Sequence, residues 1–255
     1  LGVGGTDQAY ADGINAGYSD EANYPSVILS DAGFVKMLAA DENVMSIADA
    51  GITDEMYANA YAYTKELGSV DGTLKALSWQ ATPGCLVYNA DIAKEVLGTD
   101  DPAEVGKQVE GWDNFFAVAD KVKEAGYKMT SGPDEIKYAA LNQRTQPWVS
   151  SDSKLQLGDE VTTYLENAKK LYDGDYTNKA NTWAETWTAG FAEGDVFCYF
   201  GCTWFLGVME GTCTEDTANF GKWRICAAPV GYNWGGTFLM IGKDTPDPEL
   251  AAYFV

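Results

Sequence analysis

The stretch that decides the fold is Gly72–Ala93, with the sequence GTLKALSWQATPGCLVYNADIA. It contains two strand-like runs, Thr73–Trp79 and Cys85–Asn89, separated by a Pro-Gly pair. Pro83 has no amide hydrogen to donate and Gly84 tolerates unusual dihedral angles, so the pair interrupts any continuous ladder. The stretch is therefore either a bulged hairpin within one domain or a crossing of the chain from one lobe to another.

A second stretch, Cys226–Gly236, repeats this design with a strand stopped by proline, then a tryptophan and two glycines. Two such breaks favour a chain that passes twice between lobes, with Trp79 and Gln80 at the first crossing. Elsewhere, helical and strand patterns alternate along the chain, which indicates an α/β fold.

Composition and charge exclude several classes of protein. The 255 residues suffice for one large or two ordinary domains, and 38 Asp and Glu against 17 Lys and Arg give a formal charge of −21. Such a surface repels nucleic-acid phosphates and anionic lipid headgroups. The chain has no histidine, which excludes catalytic triads that use histidine and metal sites that have histidine ligands. We predict no metal and no cofactor.

The cysteines and the ends of the chain indicate the setting of the protein. Its five cysteines are too few and too irregularly spaced for a disulfide scaffold, so we expect buried free thiols; export of the protein would allow one disulfide.

The glycine-rich start, Gly2–Gly5, matches neither the dinucleotide-binding pattern nor the Walker pattern and is predicted as a turn. No signal segment is visible at Leu1, and the chain stops within a helical pattern, so we expect a piece of a longer protein.

Local patterns predict where the main helices and strands lie. Tyr24–Leu29 reads as a short buried strand, and Asp31 after it is placed either to meet a ligand or to cap the next helix. A helix is predicted over Asp54–Leu67, with Met56 on its buried stripe. Trp183 and Trp187, four residues apart, are predicted on one helix.

Tryptophan is the clearest chemical signal in the sequence. Five of the eight fall at strand ends, helix starts or loops, where α/β folds bind ligands: Trp79, Trp148, Trp183, Trp204 and Trp234. Flat rings suit the apolar faces of sugars, whose hydroxyl groups would bond to Gln80, Asp31 or Arg144. Core packing is an equal alternative for each tryptophan taken singly.

Two other functions remain open from the residues alone. Paired carboxylates such as Asp134 and Glu135 are the groups that a glycoside hydrolase uses, although 38 acidic residues make some pair inevitable. A receptor for amino acids or peptides would need a charged clamp, for which Arg144 is the evident candidate.

Several segments together resemble the extracellular solute-binding proteins of carbohydrate ABC transporters, the maltose-binding-like family 1. The segments that carry the resemblance are Tyr24–Gly33, Lys75–Asn89, Phe191–Trp204 and Gly221–Gly236. The first is similar to the family's strand and following helix, the second and fourth to its two crossings between lobes, and the third to its "strand, G-x-x-W" segment. The family's opening strand and final helices have no counterpart in this chain.

The resemblance implies a two-lobed, periplasmic-binding-protein-like (type II) α/β fold with a ligand cleft between lobes. Lobe 1 is expected to comprise residues 1–84 and 230–255, and lobe 2 residues 85–229. The ligand-binding residues that it implies are Asp31, Trp79, Gln80, Arg144, Trp148, Trp183, Trp204, Trp234 and Gly236.

The same resemblance implies a biological role. It suggests a non-enzymatic, monomeric receptor that captures a mono- or oligosaccharide and delivers it to the permease subunits of an ABC importer. The protein would be extracellular, either as a membrane-anchored lipoprotein or in the periplasm.

Overall fold

The computed structural model describes residues 7–255. The turn predicted at Gly2–Gly5 lies outside the described residues. In chain order the helices are α1 (Asp7–Gly17), α2 (Val35–Ala39), α3 (Ala62–Leu67), α4 (Ala90–Leu97), α5 (Pro102–Gln108), α6 (Gly111–Glu124), α7 (Lys137–Leu141), α8 (Asp159–Asp173), α9 (Glu185–Ala192), α10 (Phe205–Glu210) and α11 (Pro248–Phe254). The strands are β1 (Val27–Asp31), β2 (Ser69–Val70), β3 (Thr73–Leu74), β4 (Leu77–Ser78), β5 (Cys85–Asn89), β6 (Cys198–Gly201), β7 (Trp223–Cys226) and β8 (Thr237–Ile241).

The chain divides into two compact units. Unit 1 contains the described residues up to Ala81 together with Gly235–Val255, and unit 2 contains Thr82–Trp234. The predicted lobe boundaries, after residues 84 and 229, lie a few residues away. The difference has a local cause, because residues 82–84 pair with residues 232–234 inside unit 2: Gly84 N donates to Tyr232 O at 2.7 Å and Trp234 N to Thr82 O at 3.1 Å.

Unit 1 is built on a three-stranded antiparallel sheet in the order β1-β8-β4. Alternate residues of the strands, among them Ile28, Phe238 and Met240, are buried in a core that α1 and α2 help to form. In this register Asp31 pairs with Thr237, and Ser78 pairs with Phe238. The carboxyl ends of β1 and β4 therefore lie together at one end of the sheet.

The strand predicted over Thr73–Trp79 is wrong as a single element. β3 forms a hairpin with β2, whereas β4 belongs to the β1-β8-β4 sheet. Between them the amides of Lys75 and Ala76 both donate to the carbonyl oxygen of Gly68, at 3.0 and 3.1 Å, and this turns the chain from one partner to the other. Only the second predicted run, β5, forms one continuous strand.

The helix predicted over Asp54–Leu67 is also wrong in its first half. Only α3 is helical, because Tyr61 before it has an extended backbone that ends the preceding turns. Thr53 accepts a hydrogen bond from Met56 N at 2.9 Å and so supports a single turn. Met56 is 69% exposed and belongs to no core.

Unit 2 is built on the antiparallel sheet β6-β5-β7, whose central strand is almost wholly buried. Asn89 ends β5 and caps α4, because its side chain accepts from Asp91 N and Ile92 N. One face of α6, which includes Phe115 and Phe116, is buried. Gly126 follows α6 with a φ of +91°, as expected for a residue just after a helix end.

The five cysteines are free, and four of them are buried. Among the residues that the structure describes, no helix has the length and apolar character needed to cross a membrane.

Candidate functional site

Three of the predicted tryptophans form one cluster in unit 2, here called the tryptophan cluster: Trp183, Trp204 and Trp234. The indoles of Trp183 and Trp204 are stacked, with centroids 5.6 Å apart and planes 15° from parallel. Trp204 meets Trp234 edge to face at 4.7 Å. The sequence predicted all three as candidates but gave no sign that they are in contact.

The inner members of the cluster, Trp204 and Trp234, are held in place by a hydrogen bond and by packing. Trp204 lies between β6 and α10, and its Nε1 donates to the carbonyl oxygen of Trp234 at 2.9 Å. Trp234 is only 6% exposed and packs against Phe205. These contacts fix both indoles, so the pair forms a rigid base for the outermost ring.

Trp183 is the outermost ring of the cluster, and its predicted place on a helix is wrong. α9 begins only at Glu185, and Trp183 precedes it with a φ of +73°, a left-handed conformation that is uncommon for a bulky residue. This backbone turns the indole onto Trp204, and the side chain remains 59% exposed. Trp187, four residues later, is fully buried in the core. The two residues therefore have different roles.

Tyr138 on α7 extends the aromatic surface, and sequence reasoning missed it. Its ring stacks on Trp234 at 5.0 Å and 27°, and Lys137 Nζ lies 4.6 Å from the centroid of the tyrosine ring. Nothing in the local pattern distinguishes Tyr138 from a core tyrosine, because its partner lies far away in the sequence.

A cavity of about 120 Å³ adjoins the tryptophan cluster within unit 2. Its walls combine aromatic rings with polar groups. The lining residues are Asp134, Glu135, Lys137, Tyr138, Thr182, Trp183, Phe200 and Trp234. The combination of flat apolar walls and a few polar groups is typical of a site for a small organic ligand.

Glu135 is the most strongly perturbed group of this cavity. Its Oε1 accepts from Trp187 Nε1 at 2.8 Å and its Oε2 from Phe200 N at 3.2 Å. Burial raises the pKa of its carboxyl group to about 8, against the opposing effect of these hydrogen bonds. Glu135 therefore joins α9 to β6 beneath the cavity.

Asp134 next to it has a different environment. Its Oδ2 accepts from the backbone amide of Thr182 at 3.0 Å, just before Trp183. Its Oδ1 is buried and has no hydrogen-bond partner among the described residues. Asp134 thus helps to hold the segment that carries Trp183 and retains an unused acceptor.

Arg144 and Trp148 contact each other instead of standing apart as two independent candidates. The guanidinium carbon lies 3.9 Å from the centroid of the Trp148 ring, and Arg144 Nη2 donates to Gln156 O at 2.9 Å. Residues 148–156 form a small hairpin, here called the Trp148 hairpin, in which Val149 bridges to Leu155. Trp148 remains 48% exposed.

The four candidates of unit 1 lie at one end of its sheet. Asp31 ends β1, and its Oδ1 accepts from Gly33 N at 2.8 Å, so it caps the turn before α2. The amide of the next residue donates to Gly236 O at 2.9 Å. Gln80 Oε1 accepts from the Thr237 hydroxyl group at 3.1 Å, and Trp79 is 71% exposed. The register of β1, β8 and β4 thus collects Asp31, Trp79, Gln80 and Gly236.

Within the described part of the chain, no group of three or more cysteine or carboxylate side chains is arranged to hold a metal ion.

Solved structures identify the class of fold. A family 1 extracellular solute-binding protein superposes with a TM-score of 0.81 at 19% identity, over 98% of this chain and 65% of that one. The ABC-transporter binding protein of B. animalis subsp. lactis Bl-04, solved with β-1,6-galactobiose, gives 0.69 at 22%, over 98% and 62%. The galacto-N-biose-/lacto-N-biose I-binding protein of Bifidobacterium longum, solved with lacto-N-biose, gives 0.73 at 17%, over 98% and 63%. The fold is that of the solute-binding proteins, and the predicted fold class is confirmed.

The sequence itself gives the family. Residues 6–255 match the model of the bacterial extracellular solute-binding proteins, and the chain belongs to that family. A search of curated proteins found no match. The chain spans 62–65% of the length of the three solved structures described above.

Proposed function

We propose that this protein is a receptor that binds a mono- or oligosaccharide outside the cell membrane and delivers it to an ABC importer. The family is one of solute-binding proteins, and two of the structurally similar proteins were solved with disaccharides bound. Units 1 and 2 would correspond to the two lobes of that family.

The observation that carries the proposal is the exposed face of Trp183. One face of its indole lies on Trp204, and 59% of the side chain remains open to solvent beside the cavity. The C–H groups of a sugar ring form a flat apolar patch that packs on such a ring, while the hydroxyl groups bond to polar neighbours. Because Trp204 and Trp234 fix the indole from behind, little conformational entropy is lost on binding.

In unit 1, the proposed ligand contacts are Asp31, Trp79, Gln80 and Gly236. Asp31 and Gln80 supply acceptors and donors for hydroxyl groups, and Trp79 supplies a second exposed ring. The O–H of Thr237 already bonds to Gln80 and orients its amide group. In the Trp148 hairpin we propose that Trp148 is the contact and that Arg144 supports its ring.

We propose that the protein does not cleave its ligand. The paired carboxylates considered from the sequence, Asp134 and Glu135, are adjacent in the chain, but both oxygens of Glu135 accept hydrogen bonds from the protein. A carboxyl group held in this way supports the fold beneath the cavity. Turnover of an oligosaccharide by the purified protein would contradict this part of the proposal.

The partners and the location follow from the same proposal. The receptor would act as a monomer outside the membrane, as an anchored lipoprotein or in the periplasm, and would dock on the permease subunits of its transporter. With a formal charge of −21, it suits neutral ligands better than anionic ones.

A thermal-shift screen tests the proposal. The panel would contain mono- and oligosaccharides, with free amino acids and dipeptides as the comparison class. Ligand at 100 times its Kd stabilises a native state by about 2.7 kcal/mol, so a clear rise in Tm with at least one saccharide is expected. Stabilisation by amino acids alone would contradict the proposal.

A further inference from the structure

The cavity beside the tryptophan cluster has polar groups of both kinds. Asp134 lines the cavity and offers an acceptor: its Oδ2 accepts one bond from Thr182 N and has a second lone pair, while its Oδ1 is buried against Gly132. Lys137 and Thr182 line the same cavity and offer an ammonium group and a hydroxyl group as donors. Both oxygens of Glu135 already accept from the protein, which leaves Asp134 as the acceptor available to a ligand.

The remaining walls of the cavity are aromatic. Trp183, Trp234, Tyr138 and Phe200 line it, and none of these rings brings a full charge. An apolar group placed against them gains from burial at roughly 25 cal/mol per Å² of apolar surface. A ligand group that fills this cavity well therefore combines one donor, one acceptor and a small apolar part.

Building on the proposed saccharide site, we infer that this cavity is the subsite for the acetamido group of an N-acetylated amino sugar. The N–H donates to the Asp134 carboxylate, the carbonyl oxygen accepts from Lys137 or Thr182, and the methyl group packs on the aromatic walls. A hydroxyl group at the same ring position leaves the aromatic walls unfilled. A free amine lacks both the carbonyl oxygen for Lys137 or Thr182 and the methyl group for the aromatic walls.

The size of the cavity agrees with this assignment. Its volume of about 120 Å³ is well below the roughly 300–1,000 Å³ of a whole small-molecule site. An acetamido group has four non-hydrogen atoms. A cavity of this size therefore suits one substituent of a ligand better than a whole sugar.

Calorimetric titration with N,N′-diacetylchitobiose and cellobiose tests the inference, because these disaccharides share their linkage and differ in the acetamido groups. We expect N,N′-diacetylchitobiose to bind at least tenfold more tightly, since a hydrogen bond to a charged acceptor contributes about 1.5–3 kcal/mol. In Asp134→Asn the amide oxygen can keep the Thr182 bond, but the amide N–H₂ then opposes the ligand N–H. The ratio of the two affinities is expected to fall to about threefold or less. Asp113→Asn, an exposed acid on α6, is the matched control and keeps the wild-type ratio.

Each outcome decides between the two proposals. Equal binding of both disaccharides, or a preference that Asp134→Asn leaves unchanged, contradicts the acetamido subsite and leaves the saccharide receptor intact. Binding of other saccharides of the screening panel but of neither disaccharide contradicts the subsite as well. If no saccharide of the panel binds at all, the proposed function itself is wrong.

Discussion

At the scale of single residues, Glu135 links the stability of unit 2 to pH. Burial raises its pKa from 4.5 to about 8 in the native state. Between these values the unfolded chain has released the proton that the native state keeps. The native state therefore loses stability as the pH rises through this window, by up to about 1.4 kcal/mol per pH unit.

The prediction is a difference in slope between wild type and Glu135→Gln. The variant loses one acceptor and is expected to be less stable by about 1–3 kcal/mol at low pH, where a buried N–H stays unpaired. Its Tm should fall less steeply between pH 5 and 8 than that of the wild type. Thermal unfolding monitored by circular dichroism at several pH values measures both slopes, and parallel curves would refute the linkage.

Gly84 is a second residue whose surroundings affect stability, because a side chain there would meet the ring of Tyr232. A Cβ at this position would lie 2.4 Å from the ring of Tyr232, and the tyrosine hydroxyl is held by the carbonyl oxygens of Cys85 and Gly201, at 2.9 and 2.7 Å. The ring cannot move without losing these bonds. Gly84→Ala is therefore expected to lower the free energy of unfolding by about 1–3 kcal/mol.

Gly231 provides the matched control for Gly84, because a Cβ there would meet nothing within 4 Å. Gly231→Ala is expected to change stability by no more than about 0.5 kcal/mol. Urea unfolding of the two variants gives the comparison. Equal urea midpoints for the two variants would show that Tyr232 moves aside at little cost in stability, which would contradict the prediction.

At the scale of elements, the Trp148 hairpin depends on Arg144. Its planar guanidinium group stacks on Trp148 and donates to the carbonyl oxygens of Gln146, Pro147 and Gln156. All three hydrogen bonds come from Nη2. A lysine retains the charge but not the plane that stacks on Trp148. In Arg144→Lys we expect amide hydrogen exchange to accelerate about tenfold or more in residues 148–156, with little change in global Tm.

Lys154→Gln is the control for this prediction. It removes only the exposed ion pair with Asp152, a kind of contact worth about 0–1 kcal/mol, so exchange in the hairpin should stay close to the wild-type rate. Faster exchange in this variant, or wild-type exchange in Arg144→Lys, would show that the arginine does not organise the hairpin.

The sequence predicts elements well where the local pattern and the tertiary environment agree. The run Cys85–Asn89, which forms the buried strand β5, is an example. The strand prediction fails at Thr73–Trp79, where the alternation of apolar and polar residues continues although the partner strand changes from β2 to β8. The helix prediction fails at residues 54–61, where a helical stripe lacks a core to pack against, as the exposure of Met56 shows.

The candidate site could be predicted only in part, for a related reason. Residue type and predicted position in strand ends, helix starts and loops select Trp183, Trp204 and Trp234 as candidates. The stacking of Tyr138 on Trp234 and the cavity at Asp134 depend on contacts between segments far apart in the sequence. A single sequence holds no signal of such contacts. The left-handed backbone of Trp183 is equally invisible, since its spacing from Trp187 matches a helix.

At the scale of the whole molecule, the central claim is that an exposed tryptophan face in unit 2 binds a saccharide. Isothermal titration calorimetry of wild type, Trp183→Ala and Tyr253→Ala measures this claim most directly. Tyr253 is 89% exposed on α11 and is none of the proposed contacts, so it serves as an aromatic control. The account predicts that wild type and Tyr253→Ala bind the same saccharide with equal affinity. Trp183→Ala should bind it about thirtyfold more weakly, the loss of about 2 kcal/mol expected for a dominant aromatic contact. Wild-type affinity in Trp183→Ala, or no saccharide binding by the wild type, would contradict the account.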